Sequence, residues 1–139
     1  MDGLRRLLQP LTSSAEDYDA LPRLIGPARF ALLGEAAPSK REFYRERAAV
    51  TRRLITEKGF TAAAVEANWP NAWRGNRYVR GLSNDCDATA ALSGFERFPN
   101  CMWRDTELRD FAEWLAAHGY GTPSALSTGQ RPSARAITS

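Results

Sequence analysis

Two short apolar runs separated by a capped helical segment constrain this chain more than any other feature of its sequence. The runs span residues 29–34 and 60–65, and each is continuous and flanked by turn residues, which favours a buried strand. Between them, Ser39 and Glu42 have the spacing of a capping box, apolar residues recur with helical period, and Gly59 supplies a stop. A strand, a helix and a strand in this order predict a βαβ unit with parallel strands.

Further helical segments surround this unit, and we therefore expect an α/β fold. Residues 69–80 and 106–118 have the pattern of helices, whereas the residues that follow are rich in Ser, Thr, Pro, Gly and Ala and lack periodicity. The sequence thus divides into an α/β part at residues 1–118 and a predicted disordered tail at residues 119–139. Two strands with flanking helices leave both sheet edges and part of one face uncovered, so we expect an incomplete part of a larger α/β domain that is marginally stable alone.

The composition argues against several classes of protein. The chain has one histidine, His118, and its two cysteines, Cys86 and Cys101, fit neither a disulfide framework nor a metal site, so we expect no metal and no other cofactor. No apolar run reaches membrane-spanning length, and the first residues lack the apolar stretch of a signal peptide. We therefore expect a cytoplasmic protein without a membrane partner. The net charge of +3 points to neither nucleic acid nor acidic lipid.

A glutamate follows each predicted strand. Glu35 comes directly after the first strand and Glu66 after the second, and ligands of open α/β sheets bind outside the carboxyl ends of the strands. If the strands are neighbours, their spacing of roughly 4.8 Å brings both carboxylates to one rim, where partial burial would raise their pKa values and suit proton transfer. The alternative is that each carboxylate is solvated or caps a following helix.

Arg47 lies on the predicted inward face of the helix that connects the two strands. An arginine at such a position needs an anionic partner, for which Glu35, Glu66 or a substrate oxygen would serve. The alternative is that its side chain extends past the edge of the core to water, which is the commoner outcome for a lone arginine on an apolar stripe.

Several ordered motifs resemble the erythromycin esterase family. They are Gly34-Glu35-Ala36, Arg41-Glu42-Phe43-Tyr44, Ala64-Val65-Glu66-Ala67 with Trp69-Pro70, Asn76-Arg77-Tyr78-Val79, Gly94-Phe95-Glu96-Arg97-Phe98-Pro99 and Met102-Trp103-Arg104. The resemblance runs from about Asp17 to His118, and its specificity comes from the motifs together. It implies an α/β hydrolase of the carboxylic ester class, whose characterised bacterial members hydrolyse the macrolide lactone ring and are linked to macrolide antibiotic resistance.

The resemblance also implies roles for individual residues. It assigns catalytic roles to Glu35, Glu66 and Arg47, and substrate binding to Arg77, Trp103 and Arg104. In the family an activated water attacks the lactone carbonyl, and a histidine three residues after the first glutamate is the general base. This chain has Pro38 at that position, which carries no titratable group. The family supplies another catalytic histidine from its C-terminal part, which the resemblance does not reach.

We therefore expect a truncated hydrolase that is inactive alone, with a small ester or a macrolide as its ligand if it is active. One alternative is half of a split hydrolase, which needs a partner chain that carries the complementary C-terminal fragment.

Two further alternatives rest on the residues themselves. Arg74, Arg77 and Arg80 recur every third residue with aromatic residues between them, a face that could bind anions or nucleic acid. We favour a solvated basic face instead, because the same residues resemble the substrate-cleft helix of the family, and we expect no nucleic-acid partner. The other alternative is hydrolysis by Glu35 and Glu66 alone, since paired carboxylates suffice for glycoside cleavage.

Overall fold

A computed structural model describes residues 12, 14–34, 41–96, 104–119 and 136–138. The helices are a 3₁₀ helix at Ala15–Tyr18, α1 at Leu21–Ile25, α2 at Arg41–Lys58, α3 at Trp69–Val79, α4 at Ala88–Ala91 and α5 at Thr106–Ala117. The strands are β1 at Phe30–Leu32, β2 at Ala62–Ala64 and β3 at Ala136–Thr138. The described part of the chain is thus a mixture of several helices and a few short strands, in agreement with the predicted α/β class. None of these helices is long and apolar enough to cross a membrane.

The three strands form one sheet in the order β1-β3-β2, and both outer strands run parallel to β3. Phe30 and Ala62 both align with Ala136, and the register continues to Leu32 and Ala64. The condition that the first two strands are neighbours is therefore not met, because β3 lies between them. Two strand spacings, about 10 Å, separate β1 from β2.

The central strand comes from the segment that the sequence predicts to be a disordered tail. At residues 136–138 the structure differs from that prediction, while residues 120–135 and 139 lie outside the described residues. Two of the three strand residues, Ile137 and Thr138, are β-branched, and such residues favour extended structure. The backbone of β3 pairs on both sides with strands that would otherwise present unpaired edges, so tertiary pairing outweighs the weak local pattern.

Helix α2 packs against the covered face of the sheet. Its buried residues are Tyr44, Ala48, Thr51, Leu54 and Ile55. Leu54 and Ile55 form a core cluster with Phe60 and Leu115, and Ala31 and Leu33 from the first strand region pack against this cluster. Gly59 has φ +66°, which confirms the predicted helix stop, and the Phe60 N–H donates to the Leu54 carbonyl at 3.1 Å.

Helices α3, α4 and α5 enclose a second core cluster. Its buried residues are Ala88, Leu92, Phe95 and Ala112, of which Phe95 is 1% exposed. Aspartates cap the starts of α4 and α5: Asp87 accepts from the Ala90 N–H at 2.7 Å and Asp105 from the Glu107 N–H at 2.9 Å. These caps fix where the helices begin and therefore how the cluster closes.

The opposite face of the sheet carries exposed apolar side chains. Side chains alternate along a strand, so Ala31 points to the core while Phe30 and Leu32 point away from it. Phe30 is 65% exposed and Leu32 is 78% exposed, and every residue of β2 is exposed. Within the described residues, the sheet is thus covered on one face only.

Candidate functional site

The side chain of Arg47 lies at the carboxyl end of the first strand. Its Nη2 atom donates to the carbonyl oxygen of Gly34 across 3.5 Å, a long hydrogen bond, and Gly34 lies two residues beyond β1. The side chain of Arg47 is half-buried, with the buried residues Tyr44 and Ala48 beside it on α2. Arg47 therefore points towards the end of the strand rather than away from the sheet.

Glu66 lies two residues beyond β2. Because β1 and β2 both run parallel to β3, their carboxyl ends lie at the same rim, and Glu66 shares this rim with the Arg47–Gly34 contact. The Glu66 side chain is exposed. The partial burial expected for it is therefore wrong, because β2 itself is exposed along its length.

The other predicted site residues divide into two groups. Glu35, Pro38 and Trp103 lie outside the described residues. Arg104 is described and is exposed just before α5. Of the predicted catalytic residues, the structure describes Arg47 and Glu66, and it places both at the same rim of the sheet.

Arg77, a predicted substrate-binding residue, closes the turn after α3. Its Nε and Nη2 atoms donate to the Leu82 carbonyl at 2.9 and 2.6 Å, and the Leu82 N–H donates back to the Arg77 carbonyl at 2.8 Å. Gly81 has φ +65°, a conformation that favours glycine and lets the chain reverse. Any ligand of Arg77 would share the guanidinium with this backbone carbonyl.

Arg74 forms a bidentate ion pair with Asp85. The Nε–Oδ2 and Nη2–Oδ1 distances are 3.1 and 2.5 Å, and Nη1 donates to the Ser93 hydroxyl at 3.1 Å. The Arg74 guanidinium, together with the Ser83 hydroxyl, holds the pKa of Asp85 below its ordinary value, and Asp85 in turn raises the pKa of Arg74. Since acceptors of the chain itself bind Arg74 and Arg77, the anion-binding face proposed for these arginines has fewer donors to offer.

A surface cavity of about 380 Å³ lies beside these arginines. It is lined by Trp73, Arg74, Arg77, Ser83, Asn84 and Asp85. Trp73 stacks on Trp69 with ring centroids 5.6 Å apart, and Trp69 is 71% exposed. Asp85 is a residue that sequence reasoning missed, and the signal for it was weak: an acidic residue in the turn that faces an arginine-rich helix.

A second group missed by sequence reasoning joins the three helices of the second core cluster. The Glu113 carboxylate accepts from the Tyr78 hydroxyl at 2.5 Å and from the Ala88 N–H at 2.6 Å. Burial and the neighbouring Glu113 carboxylate raise the pKa of Tyr78 to about 12. No local pattern predicts this group, because its members come from α3, α4 and α5.

The described residues hold no group of three or more His, Cys, Asp or Glu side chains that could bind a metal ion. His118 lies at the end of α5, where its ring stacks on Trp114 with centroids 4.7 Å apart. The features at the rim are thus a guanidinium and a carboxylate, which can donate hydrogen bonds to an oxyanion and accept a proton, respectively.

Comparison with known proteins places this chain in a family. Residues 55–125, just over half of the chain, match the family described as Erythromycin esterase. The chain is 28% identical over 133 residues to Erythromycin esterase type I from Escherichia coli, with 88% of this chain and 31% of that relative covered. A crystal structure of a Bacillus cereus protein has the same fold with a TM-score of 0.64 and 24% identity, over 91% of this chain and 28% of that one. The chain therefore spans about a third of the length of these relatives, and it belongs to the erythromycin esterase family.

Proposed function

We propose that this chain contributes part of a carboxylic ester hydrolase site that acts on a macrolide lactone or a similar small ester, an activity linked to macrolide resistance. The observation that supports it is the contact between Arg47 and the Gly34 carbonyl at the rim that also carries Glu66. Glu35 is covalently next to Gly34, so it follows directly on this contact in the chain. Ligands of open α/β sheets bind at this rim.

The chemistry assigns a separate task to each group. A water oxygen attacks the ester carbonyl carbon, the bond from that carbon to the alkoxy oxygen breaks, and a carboxylic acid and an alcohol form. The Arg47 guanidinium offers hydrogen-bond donors that suit the oxyanion that develops in this step. A glutamate at the rim suits the transfer of a proton between water and leaving group.

The chain alone is expected to be inactive. Proline at position 38 offers no proton acceptor where the family has its base histidine, so water activation has no strong base. In this proposal the second histidine comes from polypeptide equivalent to the two thirds of the relatives that the chain does not match.

A chimera tests the proposal. In the Escherichia coli relative, this chain replaces the matching third, and mass spectrometry follows a macrolide for the gain of one water. We expect no turnover with Pro38, turnover with Pro38→His, and loss of that turnover when Glu66→Gln is added. Asp110→Asn, which removes an exposed carboxylate on α5, is the control and should leave turnover unchanged. Hydrolysis by the unmodified chain, or equal rates with and without Glu66→Gln in the Pro38→His background, would contradict the proposal.

A second candidate, a split hydrolase that needs a partner chain, is favoured by the uncovered face of the sheet. Parallel sheets are normally covered on both faces, yet Phe30 and Leu32 are largely exposed. The test is co-purification of this chain with a separately encoded C-terminal part of the relative. We expect Phe30→Glu to weaken the complex and Leu82→Glu, a change at an exposed leucine after α3, to leave it intact. No co-purification of the unmodified pair would remove this candidate.

We further propose a small-molecule ligand rather than nucleic acid. Arg74 is bound to Asp85, and Arg77 is bound to the Leu82 carbonyl, which leaves fewer donors for phosphates. Retention on heparin should therefore be weak and should change little with salt.

A further inference from the structure

An apolar cavity of about 160 Å³ lies at the carboxyl end of β2. Val65 and Ala67, the two neighbours of Glu66 in the chain, line it from the strand side. Phe95 and Leu115 line it from the helical side, so the cavity lies between β2 and the helices α3 to α5. It is separate from the cavity beside Trp73 and Arg74 and shares no lining residue with it.

The lining determines what the cavity can hold. Its walls are almost entirely apolar side chains, and Asn76 contributes the polar one. These walls offer a water molecule few hydrogen-bond partners, and an enclosed apolar cavity of about 150 Å³ takes up benzene. The chemistry of the walls therefore selects a neutral apolar group and disfavours an ion or a water cluster.

The cavity has a closely packed inner wall and an open side. Phe95 is 1% exposed and Leu115 is 8% exposed, so core packing fixes the inner wall. At Gly75, an added Cβ atom would lie 3.4 Å from Cδ2 of Leu92, which shows how closely α3 approaches the loop after α4. On the other side, Ala63 is exposed and Val65 is 46% exposed, so the cavity opens along β2.

We propose that this cavity binds a neutral alkyl or aryl group about the size of a benzene ring, within two residues of Glu66. The identity of that group as part of an ester substrate rests on the proposed function. Binding of the apolar group itself requires no hydrolysis and is measured separately.

The experiment is a titration of the full chain with benzene, followed by the methyl resonances of its leucines. We expect saturable shifts at Leu92, Leu108 and Leu115, which line the cavity, and none at Leu24 and Leu32, which are 80% and 78% exposed elsewhere. A bulky trialkylbenzene, too large for the cavity, should give no localised shifts. Equal shifts at the exposed leucines, or equal binding of the bulky probe, would overturn the proposal.

Two neighbouring alanines of β2 provide a matched pair of variants. Ala63 lines the cavity, whereas Ala64 points to the opposite face of the strand, and both are exposed. Ala63→Leu should weaken benzene binding by about tenfold, or about 1.4 kcal/mol, while Ala64→Leu should leave it unchanged. Equal effects of the two variants would count against the cavity. If Ala63→Leu fails to fold, the comparison of benzene with the bulky probe on the unmodified chain still tests the cavity proposal.

Failure of this inference and failure of the proposed function give different results. Glu66→Gln should abolish hydrolysis in the Pro38→His chimera and leave the benzene shifts of the chain unchanged. Hydrolysis by the chimera without benzene binding would overturn the cavity proposal alone. Benzene binding with an inactive chimera would overturn the proposed function alone.

Discussion

The helical region is formed by α3, α4 and α5, and the sheet region is formed by the three strands. The two regions differ in how far they bury their own apolar side chains. In the helical region, Phe95 is 1% exposed and the Glu113 carboxylate binds donors from two other helices. In the sheet region, Phe30 and Leu32 are more than half exposed. The comparison teaches that three successive helices can build a core among themselves, whereas a parallel sheet needs polypeptide on both faces.

The largest expected difference between the regions comes from removing one aromatic ring from each. Phe95→Ala should lower the free energy of unfolding by about 3–5 kcal/mol, because it removes a buried ring and enlarges the cavity that this ring lines. Phe30→Ala, the same change on the uncovered face, should cost no more than about 0.5 kcal/mol. Urea unfolding measures both. Equal losses would mean that the face carrying Phe30 is covered in solution.

The next largest change in stability is expected at Glu113, whose carboxylate joins the three helices. Glu113→Gln should cost about 1–3 kcal/mol, since it weakens the hydrogen bonds from the Tyr78 hydroxyl and the Ala88 N–H. It should also lower the pKa of Tyr78 from about 12, although burial, the larger cause, still keeps that pKa raised.

Tyr78 makes stability depend on pH in the alkaline range. Its raised pKa favours the neutral phenol in the folded state, so its contribution is complete below the unfolded pKa of about 10 and is lost as the pH rises through about 12. Tyr78→Phe should flatten this part of the stability profile. Phenolate absorbance and unfolding measured over that interval test it, and identical profiles for the variant and the unmodified chain would contradict the assignment.

Replacing one glycine in each region with alanine should give a smaller difference in stability. At Gly94 an added Cβ would collide with the Asn71 side chain, which donates to the Gly94 carbonyl at 2.7 Å. Gly94→Ala should therefore displace Asn71 and cost about 1 kcal/mol, the value of one hydrogen bond. At Gly34, beyond β1, an added Cβ meets no atom of the described residues within 4 Å. Thermal unfolding of Gly34→Ala should match that of the unmodified chain, and a loss equal to that of Gly94→Ala would place close packing at the sheet end too.

The smallest expected effect, at Tyr18, is an increase in stability. The Tyr18 hydroxyl is buried and has no hydrogen-bond partner among the described residues. Tyr18→Phe removes a desolvated polar group and should stabilise the chain by up to about 1 kcal/mol. Destabilisation in urea unfolding would instead reveal a hydrogen bond to this hydroxyl in solution.

Local signals in the sequence were sufficient for the helices. The predicted helix at 69–80 is α3 at Trp69–Val79, and the one at 106–118 is α5 at Thr106–Ala117. Their apolar periodicity and their flanking residues are all local, so sequence reasoning could find them. The position of β3 could not be found in this way, because its pairing with both other strands depends on partners distant in sequence.

The candidate site was predictable to a similar degree. The place of Arg47 and Glu66 at strand ends follows from apolar runs and helical spacing, and the structure puts both at one rim. The acceptors of Arg74 and Arg77 were not predictable, because Asp85 and the Leu82 carbonyl come from a turn whose path depends on tertiary contacts. The roles of Glu35, Glu66 and Arg47 in hydrolysis stay predictions.

The central position of β3 also sets an order of events during synthesis. Phe30 pairs with Ala136, so the first strand waits for more than a hundred further residues before its partner leaves the ribosome. The helices α3 to α5 contain their own core and can pack earlier, since pairing between distant residues is slow to form. Until β3 is synthesised, the backbone groups of β1 and β2 are unpaired and can pair with other chains. Expression yield should therefore depend on chaperone capacity more than on the stability of the helical region.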